Sequence, residues 1–268
     1  MHPNLFKIGP LEIHSYGLML AISFLLGILL AMYRAKRQNV EPDRIMDISV
    51  VIVISAILGS RFLYVIFHLE EFRGRWSDMI NPFQSSGQIG IAGLTMLGGL
   101  LAALLFSLLY MKWKKLPILK ITDILAPSMG LGIFLTRIGC FLNGCCYGTP
   151  TNSVCGMIFP STGAAGYHFT NVPIHPAQLY SSFYGLVILL VLLFIERWKK
   201  FDGFLLYCFL SLYGLSRFIV DFYRYYEESM VIFRLGDLPI SLNQGISIFM
   251  FLAGSLLIIY KLRRLKSD

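Results

Sequence analysis

The sequence predicts an all-α polytopic membrane protein of about seven transmembrane helices, with its N-terminus outside and its C-terminus cytoplasmic. Three observations carry this. Of 268 residues, 56% are hydrophobic and 14% charged, against roughly 25% charged in a soluble domain, which argues against a water-soluble globule. The abundance of apolar residues and the lack of a low-complexity tract exclude a disordered chain. Stretches of the roughly 18 to 25 apolar residues needed to cross a hydrocarbon core of about 30 Å recur along the chain, and Lys and Arg sort by connection.

The first stretch, Tyr16 to Tyr33, carries no charge and runs into Arg34, Lys36, Arg37 and then Arg44. The second, Met46 to Phe67, holds Arg61. A third, Gly90 to Met111, is uncharged and is followed by Lys112, Lys114, Lys115 and Lys120. Ile121 to Phe141, the fourth, holds Arg137, and the fifth, Ala177 to Ile195, is followed by Arg197, Lys199 and Lys200. Gly203 to Tyr223 holds Arg217, and Ser241 to Tyr260 is followed by Lys261, Arg263, Arg264 and Lys266. The opposite connections hold Lys7, Arg73, Arg75, Arg224 and Arg234. The positive-inside rule therefore places the heavily basic connections in the cytoplasm. It also explains the net charge of +8, so no nucleic-acid partner is expected.

Residues 1–268 read as a single transmembrane domain. Two long connections, 68–89 and 143–175, fall on the outer face; the first, carrying Trp76, Phe83 and Gln84, is an outer connection whose aromatics bury at the interface, or an arm along it. Long connections in a compact protein are often functional. The N-terminus lacks a basic region followed by a cleavable apolar core, so no removed signal peptide is expected.

Arg61, Arg137 and Arg217 lie within spans, where an arginine costs at least about 2.5 kcal/mol unless it snorkels or faces a polar cavity. All three fall toward the outer side of helices that run outward. Snorkelling or structural pairing is one reading of each. Three at one level, with Asp221 one turn after Arg217 and Arg224 extending that stripe, favour an anion site, because the guanidinium fork binds two phosphate oxygens at once. The commonest membrane phosphate is a lipid headgroup. Gly98 and Gly99 either let helices approach closely or open backbone donors to a ligand. The segment from Arg137 to Gly148 contains Gly139, Asn143, Gly144 and Tyr147. It reads as backbone folding back at the membrane edge, which is tolerated where protein or a wet cavity covers it.

Cys208 reads as packing. Cys140, Cys145, Cys146 and Cys155 cluster on the outer side, where structural packing, a disulfide such as Cys146 to Cys155, redox chemistry and a metal site including His168 or His175 are the alternatives. The absence of a C-x-x-C pair weighs against the last two, and no metal is expected. His14, Tyr16, His175 and Gln178 fall at the outer ends of the first and fifth spans, where either histidine is a candidate proton acceptor.

Several segments in order resemble the bacterial prolipoprotein diacylglyceryl transferase family. They are Ile13-His14-Ser15-Tyr16-Gly17-Leu18, Gly59-Ser60-Arg61-Phe62-Leu63-Tyr64, Gly98-Gly99-Leu100, Arg137-Ile138-Gly139 with Asn143, Gly144 and Gly148, His175-Pro176-Ala177-Gln178-Leu179-Tyr180, Tyr213 through Arg217 and Asp221 to Arg224, and Leu242-Asn243-Gln244. The resemblance runs nearly end to end. It implies a cofactor-independent enzyme of the bacterial inner membrane that moves a diacylglyceryl group from phosphatidylglycerol to the cysteine thiol of a lipoprotein precursor, releasing glycerol phosphate at the outer leaflet. The catalytic set it implies is Arg137, Arg217, Tyr16 and Asn143. Substrate binding is expected from Arg61, Arg224, Gly98, Gly99, Gly148, His14, His175, Gln178 and Asp221. The chain departs from the family at Leu97, where a histidine is usual, at Cys140, where asparagine is usual, and at Cys145, where an acid is usual. A related lipid transferase with a different acceptor, a thiol-disulfide oxidoreductase and a lipid carrier are the rival readings.

Overall fold

A computed structural model describes residues 4–8, 11–72, 95–161, 163–226, 231–235 and 238–267. Among them, seven helices are long and apolar enough to cross a membrane: α1 (Ser15–Arg37), α2 (Pro42–Phe67), α3 (Met96–Trp113), α4 (Ile118–Asn143), α6 (Ala177–Ile195), α7 (Phe204–Asp221) and α8 (Leu242–Ser267). A short helix, α5 (Ala164–His168), lies in the connection between α4 and α6. In hydrocarbon every backbone polar group must be bonded internally, and a helix achieves this within one segment. The expected spans and the helices agree in number and order. Two helices run past their expected ends into basic residues: α1 continues through Arg34, Lys36 and Arg37, and α8 through Arg264 and Lys266, residues that favour a helix C-terminus. Pro42 opens α2 at a position where its missing N–H is no loss.

Two antiparallel hairpins, not anticipated from the sequence, precede α1 and α8: β1 (Asn4–Ile8) with β2 (Leu11–His14), and β3 (Val231–Leu235) with β4 (Leu238–Ser241). Strands of four or five residues carry too little alternation to stand out beside long apolar runs. Gly90 and Gly93, expected at the start of the third span, lie outside the described residues, as does most of the expected arm, including Trp76, Phe83 and Gln84.

The chain forms two compact units. In residues 32–121, α2 packs closely on α3. Gly98 and Gly99 are buried in that contact: a Cβ on Gly98 would meet Leu63 Cβ at 2.7 Å, and one on Gly99 the Ala56 carbonyl at 3.1 Å. This is the close approach that small residues permit in membranes. Thr95 Oγ1 donates to the Ser60 carbonyl at 3.1 Å, and Tyr110 OH to Asp47 Oδ2 at 2.9 Å. Arg61 is buried, with its guanidinium 5.1 Å from the Phe72 ring centre and 5.8 Å from that of Tyr64. The aromatic faces offset part of the cost of burying the charge.

The other unit, residues 1–31 and 122–268, has an apolar core that includes Ala126, Tyr184, Ile188, Leu192, Leu205 and Phe209. Ser23 on α1 donates to the Gly132 carbonyl of α4 at 3.3 Å, and Ser182 on α6 to the Phe134 carbonyl of α4 at 2.9 Å. Gly214 of α7 sits against the backbone of α8 at Ser247 and Phe251. Gly203, with φ 96°, turns the chain into α7, and the fully buried Asp123 of α4 accepts from its N–H at 2.8 Å and from that of Leu206 at 3.0 Å. A carboxylate there satisfies orphan donors and favours the positive end of the helix. Lys199 completes the pair at 3.0 Å.

Candidate functional site

The C-terminal ends of α4 and α7 meet the N-terminal ends of α6 and α8 through the connections that join them. After α4 ends at Asn143, Gly144 takes φ 75° and Cys146 φ 61°. Gly144 N–H donates to Phe141 O at 3.2 Å and Cys145 N–H to Cys140 O at 3.2 Å. These bonds close the helix with a left-handed turn, the use for which glycine is suited. The chain then folds back, as the glycine pattern of this segment predicted.

Residues 147–149 are clasped between two other segments. Gly148 N–H donates to the His175 carbonyl at 3.0 Å, Thr149 N–H to Tyr223 O at 3.0 Å, and Tyr225 N–H to Tyr147 O at 3.2 Å. Gly148 thus pairs across with Arg224. A Cβ on Gly148 would meet that of His175 at 2.7 Å and the Tyr223 and His175 carbonyls as well, so only glycine allows the clasp. It ties Gly148, His175 and Arg224, far apart in sequence, into one patch. Tyr147 stacks on Tyr225 with ring centres 5.8 Å apart, and Phe169 meets Tyr225 edge-on at 5.2 Å.

Arg217 is buried in the last turns of α7, and Asp221 lies 3.0 Å from its Nη2. The same Nη2 donates to Tyr226 OH at 2.7 Å, which in turn donates to Asp221 Oδ1 at 2.8 Å. Burial raises the Tyr226 hydroxyl above its usual range, against the pull of Arg217 and Arg224, so it stays protonated and available as that donor. Asn243 Nδ2 donates to Tyr226 OH at 3.2 Å, and Ser241 Oγ to Asp221 Oδ2 at 3.3 Å. Ser241 N–H donates to Gln244 Oε1 at 3.0 Å, anchoring the start of α8. Arg224 lies over the Tyr226 ring, 5.1 Å from its centre. Yet Arg217 Nη1 and Arg224 Nε are buried without a hydrogen-bond partner, as are Tyr184 OH and Gln178 Oε1. An unbonded guanidinium N–H is an offer to an acceptor.

Arg137, three residues before Cys140 on α4, is half-buried, in electrostatic reach of Tyr184, Cys140, Cys146 and Tyr213. Tyr184 also feels Arg217, and Cys146 also feels Arg224. The three guanidiniums therefore share neighbours. Tyr16 opens α1 beside Gly139 and in electrostatic reach of Cys140, Cys145, Cys146 and Arg137. Asn143 acts electrostatically on Cys145, and Gln178 Nε2 donates to the Cys145 carbonyl at 2.8 Å. His175 Nδ1 lies 3.1 Å from Tyr180 OH, and burial pushes its ring below the usual imidazole range. His14, at the end of β2, is exposed.

Of the residues expected at a site, the structure groups Arg137, Arg217, Arg224, Tyr16, Asn143, Gly148, His175, Gln178 and Asp221 within one unit. Gly98, Gly99 and Arg61 belong to the other, where the glycines serve helix packing. Tyr184, Tyr226 and Ser241 were missed by sequence reasoning; an aromatic hydroxyl inside a span was the available signal for Tyr184. The cysteines depart furthest from expectation: Cys140, Cys145 and Cys146 place their sulfurs within 4.8 Å of one another, whereas Cys155 is exposed. Hydrogen bonds from Cys140 and Cys145 hold the Cys146 thiol well below the usual thiol range, with Arg224 and Arg137 adding to the effect.

Comparison with known proteins gives one consistent result. A sequence model of the prolipoprotein diacylglyceryl transferase family matches residues 3–260. The phosphatidylglycerol--prolipoprotein diacylglyceryl transferase 2 of Clostridium perfringens is 33% identical over 260 residues, covering 97% of this chain and 94% of that protein. The phosphatidylglycerol--prolipoprotein diacylglyceryl transferase of Clostridium tetani is 32% identical over 224 residues, covering 84% of this chain and 86% of that one.

Proposed function

The chain belongs to the prolipoprotein diacylglyceryl transferase family, and from that premise we propose that it transfers a diacylglyceryl group from phosphatidylglycerol to a cysteine thiol of a lipoprotein precursor, releasing glycerol phosphate. The observation that carries the reading is the pair of buried, unpartnered guanidinium nitrogens, Arg217 Nη1 and Arg224 Nε, beside Arg137. Transfer moves negative charge onto the departing phosphate. As the acceptor sulfur bonds to the glyceryl carbon, the carbon–oxygen bond breaks and its electron pair stays on the phosphate oxygen. Preset guanidiniums stabilise that charge more in the transition state than in the bound lipid. The Asp221–Tyr226 network uses one Arg217 nitrogen and aims the other.

Arg137 and Arg217 act on the phosphate, with Arg224 as a supporting lipid contact; Arg61 is a further lipid contact by its charge alone. Gly148 holds the clasp that keeps Arg224 in the patch where the headgroup binds, and Asn143, Tyr16 and Gln178 shape the site. Gly98 and Gly99 hold α3 against α2. His175 or His14 relays the thiol proton. The site faces the outer leaflet of the bacterial inner membrane, in accord with the basic residues that mark the opposite side.

The test supplies purified protein in detergent with phosphatidylglycerol and a peptide bearing a lipoprotein-type cysteine. Glycerol phosphate release matched by a diacylglyceryl mass gain on the peptide supports the transferase. Glycerol phosphate with no peptide adduct identifies a lipid transferase with another acceptor. Disulfide exchange in the peptide without either product overturns the reading in favour of thiol redox chemistry.

A further inference from the structure

Three thiols with no part in phosphate binding meet at the centre of this patch. Cys140 is buried in the last turn of α4, and Cys145 and Cys146 follow the left-handed turn at Gly144. The five-residue step from Cys140 to Cys145 exceeds a helical turn, so it is the fold-back that brings them together. Their sulfurs lie within 4.8 Å of one another. Zinc–sulfur bonds of about 2.3 Å in a tetrahedron set the ligands roughly 3.8 Å apart, so closure on an ion asks for a contraction of about 1 Å at most, within the reach of cysteine rotamers.

Resting on the transferase reading, we propose that Cys140, Cys145 and Cys146 bind a zinc ion as three thiolates and leave its fourth position for the acceptor cysteine of the substrate. Three protein ligands plus one open position is the arrangement of a catalytic rather than a structural zinc, and a thiol bound to zinc is held as the thiolate. The reaction needs that ionisation. The electrostatics agree: three thiolates on a dication leave a net negative charge, and Arg137 and Arg224 both act on Cys146. Arg137 is also the arginine assigned to the phosphate, with Arg224 in support, so a thiolate at the fourth position would stand beside the bond to be broken.

The step balances without any redox change. The acceptor S–H gives its proton, relayed by His175 or His14, to solvent as sulfur binds the ion. A sulfur lone pair then forms the carbon–sulfur bond, the carbon–oxygen pair goes to the phosphate oxygen, and glycerol phosphate takes up a proton on leaving. The product thioether is a weaker ligand than the thiolate and departs, restoring the open position.

The first experiment measures zinc in the full-length protein purified in detergent under reducing conditions without chelator, then replaces it with cobalt. Stoichiometric zinc, a thiolate-to-cobalt charge-transfer band, and affinity at least roughly tenfold weaker in Cys145→Ser and Cys146→Ser support the site. Cys155→Ser and Cys208→Ser are expected to keep the metal and the band, which separates ligand loss from general damage. A wild-type protein that takes up neither zinc nor cobalt overturns the proposal, as does a disulfide within the trio in active protein. Peptide lipidation undiminished after complete removal of zinc overturns the role while leaving the transferase intact. Zinc binding with no lipidation overturns the transferase reading and leaves the metal site standing.

Discussion

Arg217 and Asp221 stand one helical turn apart on α7 with 3.0 Å between Nη2 and Oδ1, and this ion pair uses only one side of the guanidinium. Tyr226 bridges the same two atoms, while Nη1 stays buried and unbonded. A pair that compensates the charge yet leaves a donor free holds an arginine in place without blocking it.

Arg217→Lys keeps the charge but loses the fork and the bridge to Tyr226. Glycerol phosphate release is expected to fall roughly 10²- to 10³-fold, the loss typical of a preset donor to a developing anion. Retention of near wild-type turnover in a well-inserted variant would remove Arg217 from the phosphate.

Asp221→Asn leaves the Arg217 charge in a buried site without its counter-ion. Removing one partner of such a pair costs about 3 kcal/mol or more, so the melting temperature in detergent drops along with activity. Asp221→Glu, which restores the charge, is expected to recover part of the stability.

Asp123 has a structural task remote from the patch. Asp123→Ala removes the acceptor of the Gly203 and Leu206 N–H groups and the partner of Lys199. Thermal stability falls, by at least about 1 kcal/mol per lost bond to a charged group, while turnover of the protein that remains folded is preserved.

His175 introduces a pH dependence of known sign. Its folded pKa lies below the unfolded value because burial disfavours the charged ring. As pH falls through the unfolded value of about 6.5 the unfolded chain takes up the proton first, so stability declines toward acid until the folded ring also protonates. His175→Gln is expected to flatten that part of the pH–stability profile measured by thermal unfolding, and an unchanged slope would assign it to other groups.

Reporters fused at Lys115 and Ser153 test the topology. An accessibility label that reaches Ser153 from outside the cell and Lys115 only from inside fits the charge distribution. Labelling of both from one side contradicts it.

The seven spans were legible because each must supply a long apolar run, and the arginines within them stood out as charges in an apolar background. Asp221 was legible too, since one helical turn is a local relationship. The hairpins were not, being too short for their alternation to register. Nor was the cysteine trio: a search for C-x-x-C finds nothing in Cys140, Cys145 and Cys146, because their grouping depends on the backbone turning through positive φ at Gly144 and Cys146. Gly98 and Gly99 illustrate a different limit, in which two uses of small residues share one sequence pattern and the packing of α3 on α2 distinguishes them.

Composition, apolar run length and the distribution of Lys and Arg determined by themselves that this is a seven-span membrane protein with a candidate anion site, because those properties are local or additive along the chain. Tertiary structure decided which nitrogens of Arg217 and Arg224 stay free, how Gly148 joins His175 to Arg224, and which cysteines meet. Those relationships depend on contacts between residues distant in sequence, and such contacts are set by how helices pack and where connections reverse rather than by any residue's own neighbours.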